Sequence, residues 1–503
     1  MEDQQVKHHH HQHLPFDIIS EILSRLPIES LMRFKSVCKS WFSLIKDQSF
    51  VELQFERSKK NQPHSSLILF NNYGPSDKKK LFLVDPEVTD KDKEDKDEKH
   101  IWKARDIMLL EYEWKYERDP KEKKLNFKIF GSCNGLLCMV SRLGYGCCIS
   151  IYGIFICNPI TKDCLMLPVP TGFLINCYVI GFGVDSTGKY KVLRIFFTKK
   201  CDDYAVMNCE IITLGESSWR KVEEEFPYTY TPQCEQDEMV FMNGALYTII
   251  MPTSSQLQPF ILVFDLHDEK FYTIQIQAPS IVELPRYYNL SLTSFIKDDY
   301  GQLLALHLRL PDRSKSVNPI WFMEINKYSN NGKELMYRCD SINMVETTKP
   351  ILYHSNSYEL VGMMTNDINT LLYRTDVFDT YSDNFFKNNK NAAGPSQLEP
   401  PRSSSSLVSF LLVYHLEKKQ SMHVEVCGAT IPIRFKATSF VPSLLSPIVI
   451  ANSGNKSKIE KLPACSDDLI EPPPQKKSKK DTSYYRSQGL HLELVGYSSL
   501  HRS

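Results

Sequence analysis

The side chains able to do chemistry are spread along this chain, and none stands in the grouping a reaction centre needs. Cys133 is a thiol with no local base, and a nucleophile needs one beside it. A core cysteine next to the Asn134-Gly135 turn accounts for it, since free cysteine is among the most buried residue types. Gly181-Phe182-Gly183 begins like a phosphate-cradling G-x-G-x-x-G loop, but residue 186 is Ser. The segment also leads into a strand rather than a helix, so no helix N-terminus would face a phosphate. Asp265, Asp268 and Glu269 could be carboxylates for acid–base work, yet they fall in a hairpin turn, where turn chemistry explains them better. His8 to His11 and His13 offer imidazole nitrogens to a metal, but a polar, unstructured terminus explains that tract by composition alone. The 14 cysteines include no C-x-x-C pair that would close a zinc tetrahedron. G-x-S-x-G, H-E-x-x-H and a P-loop ending in Gly-Lys-Ser/Thr are all missing. No catalytic residue, cofactor or metal site is expected.

The elements that would position any site are therefore more informative than the reactive groups. The chain has 503 residues, more than one ordinary core and suited to two or three domains. Lys plus Arg and Asp plus Glu are 60 each. That balance argues against a dedicated nucleic-acid or membrane-surface binder, which would carry a basic excess. No apolar run of about 18 residues predicts a transmembrane helix, and the first residues lack the apolar stretch of a signal peptide. A secreted disulfide scaffold is small and cysteine-dense. The thiols are accordingly read as reduced and mostly core-filling, in the cytosol and/or nucleus.

Residues 14–56 form a first compact unit. Ile18, Ile19, Ile22, Leu23 and Leu26 follow the rhythm of an amphipathic helix, with Asp17 in its first turn and Pro27 as its stop. A second helix opens at Ile28-Glu29-Ser30 and carries Leu31, Phe34, Val37, Cys38, Trp41, Phe42 and Ile45, with Lys35, Lys39 and Lys46 as solvated charges. A short third helix runs through Phe50, Leu53 and Phe55. A unit this small cannot bury so many large apolar side chains on its own. A partner or the next domain must cover the remainder.

From residue 65 to residue 450 the pattern becomes short strands separated by turns, repeating about every 55 residues, a propeller-like spacing. The repeats start at Asn134-Gly135, Gly188-Lys189, Asn243-Gly244, Gly301-Gln302 and Asn369-Thr370. Each is followed by a second hairpin roughly 22–26 residues later. Closure with about six blades protects most edges. Leu67–Phe70 and Leu81–Val84 supply an opening hairpin, and residues 435–449 the closing strand. An irregular β-sandwich is the alternative architecture. The mixed-charge run at 85–100 and the Asn/Pro/Ser-rich insert at 385–406 read as flexible loops. Residues 1–13 and the polar tail 451–503 read as disordered. Lys476, Lys477, Lys479 and Lys480 match a basic nuclear-import cluster.

Leu14-Pro15, Ile18, Ile22-Leu23, Leu26-Pro27, Leu31, Phe34, Val37-Cys38-Lys39-Ser40-Trp41 and Leu44-Ile45 form one ordered register that resembles an F-box. Residues 130–450 look like the F-box-associated interaction domain of plant F-box proteins. They carry Ser132-Cys133-Asn134-Gly135-Leu136-Leu137-Cys138, Asn158-Pro159, Gly181-Phe182-Gly183 with Asp185, Ser218-Trp219-Arg220 and Phe264-Asp265-Leu266. The resemblance extends to the S-locus F-box and F-box kelch-like groups. It implies an α+β multidomain chain: a small all-α F-box at 14–56, then an all-β propeller-like domain at 65–450 and a disordered tail.

The resemblance also implies a function. The F-box would dock on a Skp1-like adaptor, and through it on Cullin1, while the β-domain holds a protein substrate for ubiquitination. The chain would be a non-catalytic receptor that contributes proximity. The docking residues it implies are Leu14, Pro15, Ile18, Leu23, Leu26, Pro27, Leu31, Val37, Cys38 and Trp41. Candidate substrate loops are Thr198 to Ala205, Tyr228 to Asp237, Ser280 to Asn289 and Pro311 to Asn318. Three rivals remain: a ligand- or glycan-binding propeller with no Skp1, a propeller enzyme with titratable groups converging on the axis, and a Skp1-bound scaffold acting outside a ligase.

Overall fold

Two prolines open the first helices. Pro15 (φ −54°) and Pro27 (φ −58°) stand at the N-caps of α1 (Phe16–Leu23) and α2 (Ile28–Phe34), where a ring-fixed φ and a missing N–H do no harm. The structure, a computed structural model, describes residues 14–61, 66–70, 78–86, 100–112, 125–143, 150–170, 178–199, 205–222, 238–250, 259–275, 289–297, 301–309, 317–330, 334–348, 355–363, 370–378, 407–418, 420–432, 434–453 and 492–495. The single helix expected from residue 28 to 45 is two. Ser36 and Val37 bond back three residues, to the Arg33 and Phe34 carbonyls at 3.2 and 3.1 Å, which tightens the end of α2. Cys38 then swings to an extended conformation (φ −158°, ψ 162°) and caps α3 (Lys39–Lys46). Apolar spacing runs unbroken across this corner, so periodicity alone reads it as one helix. Asp47 accepts the Ser49 and Phe50 amides at 3.0 and 3.2 Å and starts α4 (Gln48–Asn61).

Among the described residues the remainder is sheet, with one short helix after the last blade strand. β1 (Ser66–Phe70), β2 (Lys78–Pro86) and β3 (His100–Tyr112) come first. Two blades follow: β4 (Leu125–Cys133), β5 (Leu136–Leu143), β6 (Ser150–Asn158) and β7 (Asp163–Met166), then β8 (Tyr178–Val184), β9 (Tyr190–Lys199), β10 (Ala205–Thr213) and β11 (Arg220–Lys221). The next are β12 (Val240–Met242), β13 (Ala245–Ile250), β14 (Phe260–Asp265) and β15 (Lys270–Gln275), then β16 (Asn289–Lys297), β17 (Gly301–Arg309), β18 (Val317–Asn330) and β19 (Glu334–Thr348). β20 (Ser355–Met363), β21 (Thr370–Phe378), β22 (Leu407–His415) and β23 (Gln420–Gly428) form a fifth antiparallel set. β24 (Lys436–Phe440) closes the ring against β1, giving a sixth set in the order β24-β1-β2-β3. Six propeller blades result, as the repeat spacing predicts, with the opening hairpin where the sequence placed it. The closing strand stops at Phe440, and the chain goes on to α5 (Pro447–Ser453).

In the first three blades the turn motifs fall between the first and second strands, and in the fourth Gly301 opens the second strand. Asn134-Gly135 (φ 52° and 78°) and Asn243-Gly244 (φ 48° and 78°) are left-handed at both positions, the conformation of a tight hairpin turn. Antiparallel order has a geometric consequence. Turns joining the first to the second strand and the third to the fourth lie at one end of the ring. Loops joining the second to the third strand, and the links between blades, lie at the other.

One pairing between blades is new, and two expectations are corrected. β23 runs parallel to β3, Val424 to Gly428 against His100 to Ala104, so the fifth and sixth blades share a ladder. Within the tail expected to be disordered from 451, residues 451–453 complete α5, and β25 (Leu492–Val495) pairs antiparallel with Leu109 to Tyr112 of β3. Not every thiol is free, for Cys157 and Cys164 are bonded. They stand opposite each other in the β6–β7 ladder, with Cα atoms 4.2 Å apart, a pairing that only the hairpin register reveals. Cys133, Cys138 and Cys209 form no disulfide and are buried, as core-filling cysteines should be. Residues 1–13, 87–99, 385–406 and the cluster Lys476, Lys477, Lys479 and Lys480 lie outside the described residues. Among those described, no helix is long and apolar enough to cross a membrane.

Candidate functional site

The helices present two apolar faces. Inward, Leu23, Ile28, Leu31, Leu44, Ile45, Phe50 and Val51 are buried in one cluster with Cys133, Leu136, Tyr190 and Leu214 of the first two blades and Leu444 and Leu445 beyond β24. Leu26, Phe34 and Trp41 are half-buried against that cluster, with the Phe34 and Trp41 rings 5.4 Å apart. Outward, Leu14, Phe16, Ile18, Ile22, Val37 and Phe42 are exposed, Leu14 and Val37 by 58%. Ile18 and Ile22 are four residues apart and share the outer side of α1, while Ile19 and Leu23 share the inner one.

The ten docking residues expected from the sequence divide along this line. Leu14, Pro15, Ile18, Pro27, Val37 and Cys38 are exposed, and Leu26 and Trp41 are half-buried. Leu23 (2% exposed) and Leu31 (0%) face the chain's own core, so they hold the helices in place and offer no surface. Phe16, Ile22 and Phe42 belong to the outer face, and residue type alone did not separate them from the core set. Helical phase at α1 separates Ile22, once the inner face is assigned to Leu23; Phe16 is in phase with Leu23 and is exposed at the start of the helix, and Phe42 stands on α3. Cys38 is an exposed free thiol. Hydrogen bonds from the Ser40 hydroxyl, 3.1 Å away, and then from the Trp41 amide lower its pKa. Lys35 departs from the solvated charge expected: burial, then the nearby Lys46, depress its pKa.

The inner face sits at the tight-turn end of the ring. Cys133, Leu136, Tyr190 and Leu214 flank those turns, and Glu29 of α2 pairs with Arg105 of β3 at 3.0 Å. Arg57 of α4 ties back to Glu21 of α1 at 2.8 Å. The strand ends that flank the four candidate substrate loops stand at the opposite end: two pairs belong to a second and a third strand (β9 and β10, β17 and β18), and two to successive blades. Apart from the strand ends at 198–199, 205, 289 and 317–318, the loops lie outside the described residues. Strand order thus puts the outer helical face and the loop end on opposite sides of the ring.

The residues weighed for catalysis are accounted for structurally. Asp265 accepts the His267 and Asp268 amides at 2.8 and 2.9 Å, which is turn chemistry. Glu269 takes Lys191 at 2.9 Å and both terminal nitrogens of Arg220, and Lys327 takes Asp265 and Asp268 at 2.6 and 3.0 Å. These pairs clasp the second, third and fourth blades. Burial raises the Glu269 pKa, and the Arg220 and Lys191 hydrogen bonds more than offset it. Gly181 and Gly183 are packing positions, since a Cβ there would meet Leu246 and Phe241 of the neighbouring blade. Among the described residues no group of three His, Cys, Asp or Glu side chains could hold a metal ion.

Comparison with known proteins agrees with this division. The family described as F-box domain matches residues 12–53, and that described as F-box associated beta propeller domain matches residues 76–328. The Arabidopsis thaliana F-box protein At3g10430 is 29% identical over 274 residues, covering 52% of this chain and 61% of that protein. At1g33530, another F-box protein of that plant, is 29% identical over 265 residues, 52% of this chain and 49% of its own. The F-box protein At3g07870 is 27% identical over 372 residues, 65% of this chain and 80% of its own. The chain thus spans about half to six-tenths of the first two relatives. Among solved structures, a mutant of AofleA from Arthrobotrys oligospora superposes with a TM-score of 0.35 at 9% identity, over 76% of this chain and 91% of that one, a likeness too loose to bear weight.

Proposed function

The chain belongs to the F-box proteins that carry an F-box-associated β-propeller, and from that membership we propose that it is the substrate-recognition subunit of a Skp1-cullin-F-box ubiquitin ligase. The outer face of α1 to α3 docks on a Skp1-like adaptor, which links the chain to Cullin1. The loop end of the propeller holds a protein substrate. The chain supplies proximity and orientation, with no bond-making group of its own. One observation carries the reading: large apolar side chains gather, exposed, on helices whose other face is fully used. Such a surface fits a partner's groove, as amphipathic helices do, and exposed apolar patches mark interaction sites. Cytosol and nucleus, the compartments expected from the sequence, complete the proposal, and imaging a fluorescent fusion with and without residues 476–480 checks it.

The test is the pair Ile18→Asp with Ile22→Asp in the full chain. Both side chains point outward, so the melting temperature should hold. Binding of purified Skp1-type adaptor should fall at least 100-fold, by on the order of 3 kcal/mol. Undiminished binding by the folded variant overturns the assignment. Affinity purification of both forms with the proteasome blocked then sorts partners: those kept by both are substrates, and those lost from the variant are ligase parts.

A further inference from the structure

We infer that the stretch following the closing strand, residues 443–453, fixes the docking helices to the propeller, with Asn158 as its positioning residue; this rests on the adaptor-docking reading of the helices. β24 is the strand that joins the two ends of the ring. Beyond it the chain crosses the tight-turn end of the first blade. There Asn158 Nδ2 donates to the Ser443 and Leu445 carbonyls at 2.9 and 2.7 Å, and Asn158 Oδ1 accepts the Ile160 amide at 2.9 Å. Asn158 and Ser443 are both fully buried, so each of these groups depends on the other for its partner. Gly135 has no side chain where a Cβ would meet Ser443, and at Gly215 one would lie 2.5 Å from the Ala451 carbonyl oxygen.

Leu444 and Leu445 next enter the cluster that buries Leu23, Leu31 and Ile45 of the helices, and Ile450 of α5 packs on its side. The seat of the N-terminal helices is therefore completed by side chains about 400 positions later. It exists only once β24 has closed the ring. Binding on the outer face and closure of the ring are then coupled, and such coupling is reciprocal. A fixed seat also fixes the direction from the adaptor to the loop end, which is what a proximity device must control.

Amide hydrogen exchange of the full chain tests this. Saturating Skp1-type adaptor should slow exchange at least tenfold in α1 to α3 and also in β24 and β1, which the adaptor does not touch. In Asn158→Ala the slowing should stay in the helices, and without adaptor α1 to α3 should exchange at least tenfold faster than in the parent. Transmission to β24 and β1 that is absent in the parent, or equally strong in the variant, overturns the coupling. If the adaptor does not bind the parent, the docking reading fails. The coupling is then judged by the adaptor-free rates, and unchanged helix exchange in Asn158→Ala overturns it. Should Asn158→Ala not fold, Ile450→Ala, which trims the half-buried α5 contact alone, decides by the same readings.

Discussion

On α1 and α3, Phe16, Ile18, Ile22 and Phe42 are 43–52% exposed. In the blades, among the described residues, Val169 and Tyr328 are the large apolar side chains exposed to that degree. A blade strand hides one face against each neighbouring blade, and its outward-facing positions need no large apolar group. The helices have the ring on one side only. Their outer apolar positions are left to solvent and carry an aggregation liability, which the proposed function accounts for as a surface kept for a partner. The blades spend their polar groups on closure instead.

Arg374 is the sharpest case of that closure. It is 2% exposed and pairs with Glu359 at 2.9 Å and Asp376 at 2.6 Å, and its Nε donates to the Phe435 carbonyl at 2.6 Å just before β24. Ser409 donates to Asp376 at 2.6 Å. Arg374→Ala would leave Asp376 buried without its counter-charge, which costs about 3–5 kcal/mol. Denaturant unfolding should show this largest loss, and a loss near zero would break the picture of polar ring closure. Leu31→Ala comes next. Leu31 is fully buried beneath the helices, and truncating such a side chain costs about 2–5 kcal/mol. The same measurement checks it, and a cost under about 1 kcal/mol would mean that the seat is loose.

What the sequence revealed follows the same contrast. Blade hairpins are local objects. Asn134-Gly135, Gly188 and Asn243-Gly244 announce them because only such residues adopt the left-handed turn cheaply. These motifs nonetheless place the start of each repeat one strand late, since the innermost strands precede them and β12 is only three residues long. The docking helices were legible as apolar periodicity, but not which face points outward. Leu23 and Leu31 sit among the core residues because of blade residues more than 100 positions away. The Cys157–Cys164 bond depends on hairpin register, and the Asn158–Ser443 contact joins the chain's two halves. Nothing local signals either.

Acid should weaken the blade clasp next. Burial raises the Asp185 pKa, but hydrogen bonds from Thr187 and Lys191 outweigh it and lower the value from 3.8 to about 2. Between those two values the unfolded chain takes up a proton that the folded chain refuses. The stabilisation, about 2 kcal/mol, is whole above pH 3.8 and is lost as pH falls towards 2. Asp185→Asn, which lacks it at every pH, should show a smaller drop in melting temperature than the parent on acidification through that range. Equal drops would take Asp185 out of the clasp.

Phe42→Ala should have the smallest effect on the fold. Phe42 is 43% exposed, and the Lys46 ammonium lies 4.4 Å from its ring centroid. A cation–π pair at so open a site contributes about 0.5–1 kcal/mol, so the melting temperature should move by a few degrees at most. If Phe42 lies inside the adaptor interface, its truncation costs binding far more than it costs folding, because an aromatic anchor gains its full burial only in the complex. A tenfold or greater loss of adaptor affinity at nearly constant stability is therefore expected, measured by titration calorimetry beside a thermal melt. Leu31→Ala should show the reverse, lost stability with any binding defect secondary to it. Two variants on neighbouring helices that fail in opposite ways would establish that the inner face serves the ring and the outer face serves the partner. If both lose stability and binding together, the two faces are one packing unit, and the apolar exposure on α1 and α3 has some other cause.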